Sequence, residues 1–370
     1  MDSKNKIISR RRFPSFPYIL KKMSVFLSIP LIFLTLISCA RCSFPGVNLK
    51  NGEVTILSYN VENLFDDADN GSEYPEFDPG SGEWTTEHFH QKMLNIAEVI
   101  ERVVSRGPDI VALQEVENGN TLETLNEYYL KTSGYRYSAC SQSEGSAVNV
   151  AFLSKYPIVR VFSHRIQVDG VEGLRNLLEA EIECRGRNLI LFNNHWKSRS
   201  GGVEETEYLR IEASSLLVRR IKEILSENPD ADIIVVGDLN ESADEYIRMG
   251  KKYQTALLPI EEDGAAFPGH KSLYLSPDPA KTGIAGDRLV LYTTWSGTEG
   301  EGSYAYRNIW ETIDHIMLSP GLFDDNEFTY KAFRVVKEEF MLTGEGFPLR
   351  WNSKSMKGYS DHLPLLVTLY

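Results

Sequence analysis

The chain has 370 residues, 42% of them hydrophobic and 11% aromatic, with a formal net charge of −13. That composition excludes a wholly disordered chain, and the length suits one large domain or two smaller ones. Seven of the 39 Lys/Arg but only one of the 52 Asp/Glu fall in residues 1–38, so the remainder carries a net charge of −19. A body that acidic excludes a general polyanion binder, and a phosphate ligand has to be held by a metal ion and a local basic patch.

The amino terminus reads as an export signal. Arg10, Arg11, Arg12, Lys21 and Lys22 precede an apolar run from Val25 to Ile37, broken only by Ser28, Pro30 and Thr35. The run is shorter than the roughly 20 residues of a membrane span. It ends in Leu36-Ile37-Ser38-Cys39, which resembles a bacterial lipobox, with Cys39 as the lipidated residue. Residues 1–38 are then a lipoprotein-type signal peptide and 39–53 a tether. A partial twin-arginine pattern at residues 9–13 lies roughly ten residues ahead of the apolar core. Cys39 and Cys42 fall to the lipobox and tether rather than to a redox motif, while Cys140 and Cys184 are free to pair in an oxidising compartment or to stay apart.

Along the rest of the chain, residues 54–59 form a β-rich apolar run. Helical spacing over 87–104 puts Met93, Ile96, Ala97, Ile100 and Val103 on one face, and Gly107-Pro108 stops it. Residues 109–113 read as a strand buried on both faces and 121–130 as a helix. Strands follow at 135–140, 147–153, 158–162, 174–184 and 188–192. A long amphipathic helix spans 204–225 and closes at Asn228-Pro229; a strand at 232–236 ends at Gly237. Residues 251–300, rich in Gly and Pro, read as an irregular insertion. The stretch from Gly264 to Ser272 imitates a phosphate-binding P-loop, but His270 separates Gly269 from Lys271 and no strand leads in. Strands at 303–308, 309–318, 331–336 and 363–369 complete the pattern, which suggests two packed sheets flanked by helices.

Chemistry collects where apolar runs end. The five places are Asn60 within residues 56–65, Glu115 in Leu113-Gln-Glu-Val, His195 in Asn193-Asn-His-Trp, Asp238 and Asn240 in Gly237-Asp-Leu-Asn, and Asp361-His362 after Ser360. Each has a plain alternative: a solvated strand end for Glu115, a turn for Asn60, Asp238 and Asn240, a satisfied histidine for His362. Asp238 and Asn240 alternate across Leu239, so an extended segment points both to one side. The loop after His195 carries Trp196, Lys197 and Arg199, which suit a phosphate backbone or a solvated turn. Carboxylates and an Asn amide, without a Cys/His cluster, are hard oxygen donors that suit Mg²⁺ or Mn²⁺.

The ordered set of five fragments, from about Val54 to Tyr370, resembles the endonuclease/exonuclease/phosphatase superfamily of metal-dependent phosphoesterases, which includes pancreatic-type deoxyribonuclease, AP endonuclease, inositol polyphosphate 5-phosphatase and neutral sphingomyelinase. The resemblance implies an α/β four-layer sandwich over residues 54–370, two mostly antiparallel sheets flanked by helices. It implies Glu115, Asn60 and Asp361 around the metal, and Asp238 as the group that orients or deprotonates the attacking water. Asn240, His195 and His362 are then expected on the phosphoryl or leaving oxygens, with Asp314 fixing the tautomer of a catalytic His. Arg175, Asn193, Lys197 and Arg199 are the expected substrate contacts. Two departures stand out: Asn149 and Val150 occupy the strand where pancreatic-type deoxyribonucleases carry a Glu beside the first His, and Ile313-Asp314-His315 replaces the Cys-Asp-Arg of the 5-phosphatases. The expectation is an exported phosphodiesterase, lipid-anchored in a bacterial cell envelope, acting on DNA or RNA. A phospholipid or sphingomyelin phosphodiesterase, a sugar or inositol phosphatase, and a surface binding lipoprotein on an inactive fold are the alternatives.

Overall fold

A computed structural model describes residues 52–261, 271–298, 302–324 and 326–370. The signal segment, Cys39 and Cys42 with nearly all of the tether, and residues 264–270 of the P-loop imitation lie outside the described residues. Among the described residues, no helix is long and apolar enough to cross a membrane.

Two sheets carry the fold. The first has six strands in the order β16 (Tyr330–Val335), β17 (Leu365–Leu369), β1 (Val54–Leu64), β2 (Ile110–Val116), β4 (Asn149–Ser154) and β3 (Tyr137–Cys140). The second runs β5 (Ile158–His164), β6 (Leu177–Cys184), β7 (Arg187–His195), β8 (Ile233–Asp238), β15 (Asp314–Leu318), β12 (Arg288–Thr293), β10 (Leu273–Ser276) and β9 (Leu257–Pro259), with β11 (Gly283–Ala285) also paired to β12. Most pairings are antiparallel, but β1–β2, β7–β8, β10–β12 and β9–β10 are parallel, so both sheets are mixed. A separate hairpin joins β13 (Tyr304–Tyr306) to β14 (Ile309–Glu311).

Period-2 alternation stacks the layers. On β7, Leu189 and Leu191 face the core between the sheets; on β8, Ile234 and Val236 do the same. Their neighbours Phe192, Ile233 and Val235 face outward onto Ala213, Leu217, Ile221 and Leu225 of α3 (Glu207–Glu227). On the other side α1 (Thr86–Val103) packs Met93, Ile96, Ile100 and Val103 against the first sheet. Thr85 caps that helix by accepting from the His88 backbone N–H, while the His88 ring accepts from the Thr85 N–H. Helix, sheet, sheet and helix make the expected four layers. The expected helix at 121–130 is shorter: α2 (Gly119–Thr124), capped by Asn118, passes into a wider turn at Leu125–Tyr129.

Residues 251–300 correct the sequence expectation. Rather than an irregular insertion, they supply β9 to β12, which extend the second sheet through buried Leu257, Leu273, Leu275, Leu289 and Leu291. Each run is only three to six residues long, too short for alternation to rise above the surrounding Gly and Pro. Cys140 and Cys184 both carry free thiols, on different sheets, and burial pushes each up to about 12.

One buried carboxyl loads the second sheet. Asp232, just before β8, accepts from the Phe328 N–H at 3.2 Å while its other oxygen has no partner. Burial pushes it up to about 7. The fold therefore favours its neutral form, and that contribution is present below the unfolded value of roughly 4 and lost as pH rises toward 7. Asp232→Asn is expected to gain about 2 kcal/mol on the parent chain between pH 4 and pH 8, measured by urea unfolding. A gap between the two proteins that does not widen with pH would contradict this.

Candidate active site

The site forms where β1 and β2 of one sheet meet β7, β8 and β15 of the other. Parallel register sets His195 beside Asp238, and antiparallel register sets Asp314 beside Asp238, so three strand ends present a row of His, Asp and Asp. Gly237 lets β7 and β8 close: its φ is 127° and a Cβ there would lie 2.0 Å from the Asn194 carbonyl oxygen.

On the first sheet, Glu115 has no ladder partner on either side. The β1–β2 register jumps from Asn60–Gln114 to Leu64–Val116, and the β2–β4 register jumps from Gln114–Val150 to Val116–Asn149. Such bulges re-aim a side chain. Glu115 pays for it with a φ of 67°, and Glu62 and Asn63 opposite also sit at positive φ. The freed carboxylate accepts from the Asn63 N–H at 2.8 Å and the Asn60 amide at 3.1 Å. The same Asn60 nitrogen donates across to Asp238 at 3.1 Å. Asn60 is thus turned with its N–H groups toward the carboxylates, while its oxygen accepts from the Glu62 N–H at 3.0 Å.

Asp238 takes its other hydrogen bond from the Asn240 N–H at 2.8 Å. His195 Nε2 stands 3.6 Å from Asp238 and 3.7 Å from Glu115. His362 Nε2 stands 3.9 Å from Asp238, and His362 Nδ1 meets Asp314 at 2.8 Å. Ser303 donates to that Asp314 oxygen at 2.6 Å, and Ser360 ties the His362 N–H to the Asn60 carbonyl.

The two histidines are driven apart electrically. Burial and then Arg175 push His195 well below its ordinary value, and its Nδ1 is buried without a partner. Burial opposes charge on His362 too, but the Asp314 charge and hydrogen bond, with Asp238 and Asp361, raise it well above. The partnerless Nδ1 agrees with the missing strand carboxylate: Asn149 is spent on the Glu117 carbonyl, the Ser143 N–H and the Ser141 hydroxyl. Asp238 is raised by burial and then by Asp314; Glu115 by burial and then by Asp361.

That crowding is what a hard divalent cation relieves. Glu115, His195 and Asp238 offer donor atoms within 4.8 Å of one another, as do Asp238, Asp314 and His362. Glu115 and Asp238 supply carboxylate oxygens of the type Mg²⁺ or Mn²⁺ prefers, so the residues fit such an ion. Asp361 stands at the rim, 3.8 Å from both Arg350 and His362 and outside both compact groups.

The expected substrate contacts divide. Arg175 is half-buried beside the site and donates to the His195 and Trp196 carbonyls, and Lys197 is half-exposed on the next loop. Asn193 is a correction. It is sealed between the sheets, donating to the Leu113 and Ala151 carbonyls and accepting from Gln114, so it cannot reach a substrate. Arg199 is also committed elsewhere: it donates to the Asn240 carbonyl at 2.9 Å, to Glu311 at 2.7 Å and to Glu245 at 3.0 Å. Sequence reasoning missed Ser303, Tyr304, the Glu62–Arg350 pair and Lys92. Lys92 alone left a signal, a cation on the apolar stripe of α1. It is fully buried beneath the site, donates to the Tyr359 carbonyl at 3.0 Å, and is lowered to about 8 by burial.

Arg199 holds the left-handed Asn240 (φ 52°) in place through its carbonyl. Arg199→Ala is therefore expected to lower kcat about 10-fold or more with little change in KM, because the loss falls on alignment of the Asn240 amide. A change confined to KM would mark Arg199 as a substrate contact instead.

Residues 55–255 and 283–370 match the model of the Endonuclease/Exonuclease/phosphatase family. No curated protein sequence matches the chain. Among solved structures, truncated TDP2 of Caenorhabditis elegans is 18% identical, with 87% of this chain and 100% of that one covered and a TM-score of 0.50. D. rerio TDP2 complexed with a single-strand DNA product is 15% identical (86% and 100% covered, TM-score 0.50). A mannosyl-6-phosphatase of Bacteroides thetaiotaomicron is 16% identical (86% and 99% covered, TM-score 0.50). The strand-end row, the bulged Glu115 and the match over most of its length make this chain a member of the endonuclease/exonuclease/phosphatase family, a phosphoric ester hydrolase on an α/β sandwich.

Proposed function

We propose that the protein hydrolyses phosphodiesters in nucleic acid with the help of Mg²⁺ or Mn²⁺. The observation that carries the reading is the environment of Asp238. Both its oxygens are fixed by N–H donors, from Asn60 and Asn240, and it lies between two histidines of opposite electrical bias.

Asp238, buried and raised toward neutrality, orients the attacking water and accepts its proton. His362, kept protonated by Asp314, donates to a phosphoryl oxygen as charge develops there. His195, kept neutral, donates its Nε2–H from the opposite side. The Asn240 amide already donates to the Trp196 carbonyl at 3.2 Å, and its remaining N–H is available to the phosphoryl group. With Asp361 at the rim of the site, Glu115, oriented by Asn60, would hold the cation beside Asp238. When bound, it supplies charge neutralisation to the phosphoryl oxygens.

The export signal and lipobox of residues 1–39 support a protein carried to the bacterial cell envelope and held at the membrane through Cys39. One observation favours a second reading, a phosphatase for small sugar-type phosphates. With Asn193 sealed and Arg199 ion-paired, the mouth keeps few cations to follow a polyanionic strand.

The test uses chain beginning at Ser43 and its Asp238→Ala variant. Both meet plasmid DNA, RNA, sphingomyelin, inositol phosphates and sugar phosphates, with Mg²⁺, Mn²⁺ or EDTA. The expected result is metal-dependent nucleic acid cleavage that EDTA abolishes and the variant lowers by about 10³-fold. Turnover of sugar phosphates alone would keep the mechanism and replace the substrate. A folded protein that cleaves nothing and binds no metal would leave only a binding role.

A further inference from the structure

The hairpin of β13 and β14 is rooted in the catalytic groups on both of its strands. On one side, the Tyr304 backbone bridges to His362, the Leu363 N–H donates to the Ser303 carbonyl at 2.7 Å, and Ser303 holds Asp314. On the other, Glu311 binds Arg199, which holds the Asn240 carbonyl. Between the strands, Arg307 and Asn308 turn at φ 50° and 65°, the left-handed pair that a tight two-residue hairpin turn demands.

Register assigns the two faces. Tyr304 pairs with Glu311, Ala305 with Trp310 and Tyr306 with Ile309. Cross-strand partners share a face and successive residues alternate. Ala305 and Trp310 therefore form one face, which is already occupied: Trp310 packs on Phe347 at 5.4 Å with the Lys337 ammonium over its ring at 4.8 Å. Tyr304, Glu311, Tyr306 and Ile309 form the other. Its inner end lies in the active site, with the Tyr304 ring 4.8 Å from the His362 ring. Its outer end is uncovered, with Tyr306 52% and Ile309 64% exposed. The Arg307 guanidinium lies 5.1 Å over the Tyr306 ring.

An apolar face that starts at a phosphate-binding imidazole and runs outward is placed to receive what is esterified to the phosphate. We propose that Tyr306 and Ile309, with the Arg307 guanidinium over the Tyr306 ring, form a platform for a planar aromatic ring carried by the substrate. This rests on the hydrolase reading of the same site. A flat aromatic ring gains from stacking on Tyr306 and from desolvating Ile309. The ring is that of a nucleobase or of an aryl ester, and both present the same face to the platform.

The experiment measures binding rather than turnover, with Mg²⁺ present, by calorimetric titration of four probes. Thymidine 5′-monophosphate and phenyl phosphate carry a planar ring; inorganic phosphate and glucose 6-phosphate do not. The parent chain is expected to bind at least one ringed probe about 10-fold tighter than inorganic phosphate. Tyr306→Ala and Ile309→Ala, both at exposed positions, are expected to erase that preference and to leave inorganic phosphate binding within about twofold. Loss for thymidine monophosphate alone identifies a nucleobase; loss for phenyl phosphate as well identifies any aryl group. Equal affinity for all four probes in the parent chain, or a preference that survives both substitutions, overturns the platform. Phosphate binding by the parent chain together with phosphoester hydrolysis would leave the hydrolase reading standing even then.

Discussion

The Asn60 side chain is the tie on which the site depends. One amide nitrogen donates to Glu115 of its own sheet and to Asp238 of the other, at 3.1 Å each. Two carboxylates this close repel, and in a site from which water is largely removed that repulsion is strong. A shared N–H donor holds them at a fixed separation before any cation arrives. A second cross-sheet tie lies one layer deeper, where Gln114 donates to Asn193 at 2.7 Å. The two sheets are therefore pinned together by hydrogen bonds at the one end where the apolar core gives way to charge. Metal and substrate would meet a geometry already set, and the cost of burying like charges falls on folding rather than on the reaction.

A division of labour between the histidines follows from what surrounds each. His362 has Asp314 on Nδ1, and Asp314 is itself held by Ser303. His195 has an empty Nδ1 and an arginine near by. One ring is thereby biased toward the charged form and the other toward the neutral form, without any difference in side-chain type. Burial and Arg175 lower His195, and Asn149 offers it no carboxylate, its amide being spent on the Ser143 N–H and the Glu117 carbonyl. On the proposed reading, the departure from the pancreatic-type pattern leaves His195 a neutral donor rather than a partnered acid.

Much of this was legible in the sequence, and the misses share a cause. The strands that carry catalytic groups were recognised, but β7 and β8 were expected to stop at 192 and 236, whereas they run on to His195 and Asp238. Asn193 and Asn194 look like the polar end of a strand, yet both are fully buried: Asn193 donates to carbonyls of the facing sheet, and Asn194 to Phe192 of its own strand and Val236 of β8. A polar residue inside a sandwich is invisible to hydrophobic patterning unless its hydrogen-bond partners are known. Arg199 misled for the related reason that a cation in a Gly- and Ser-rich loop reads as solvent-facing, while its carboxylate partners Glu245 and Glu311 lie far away in sequence. Glu115 was expected at a strand end, but nothing in Leu-Gln-Glu-Val announces the double bulge that turns it inward.

Specificity belongs to a different part of the chain from chemistry. The candidate reacting groups stand on strand ends whose positions follow from register, so the two sheets hold positions 195, 238 and 314 side by side. The hairpin of β13 and β14 obeys no such constraint at its tip. Its roots are fixed by Ser303 to Asp314, Tyr304 beside His362 and Glu311 to Arg199, while Tyr306 and Ile309 at the tip are exposed and Arg307 lies over the Tyr306 ring of the same hairpin. A substitution at the roots propagates to His362 and Asn240; a substitution at the tip alters only what approaches them. A hairpin of this kind lets the organic part of the substrate change while the phosphoryl chemistry stays put. On the proposed reading, a strongly acidic protein needs no basic surface to hold a phosphate ester: the cation site and His362 meet the anion, and the exposed Tyr306 and Ile309 add apolar contact beside the single Arg307.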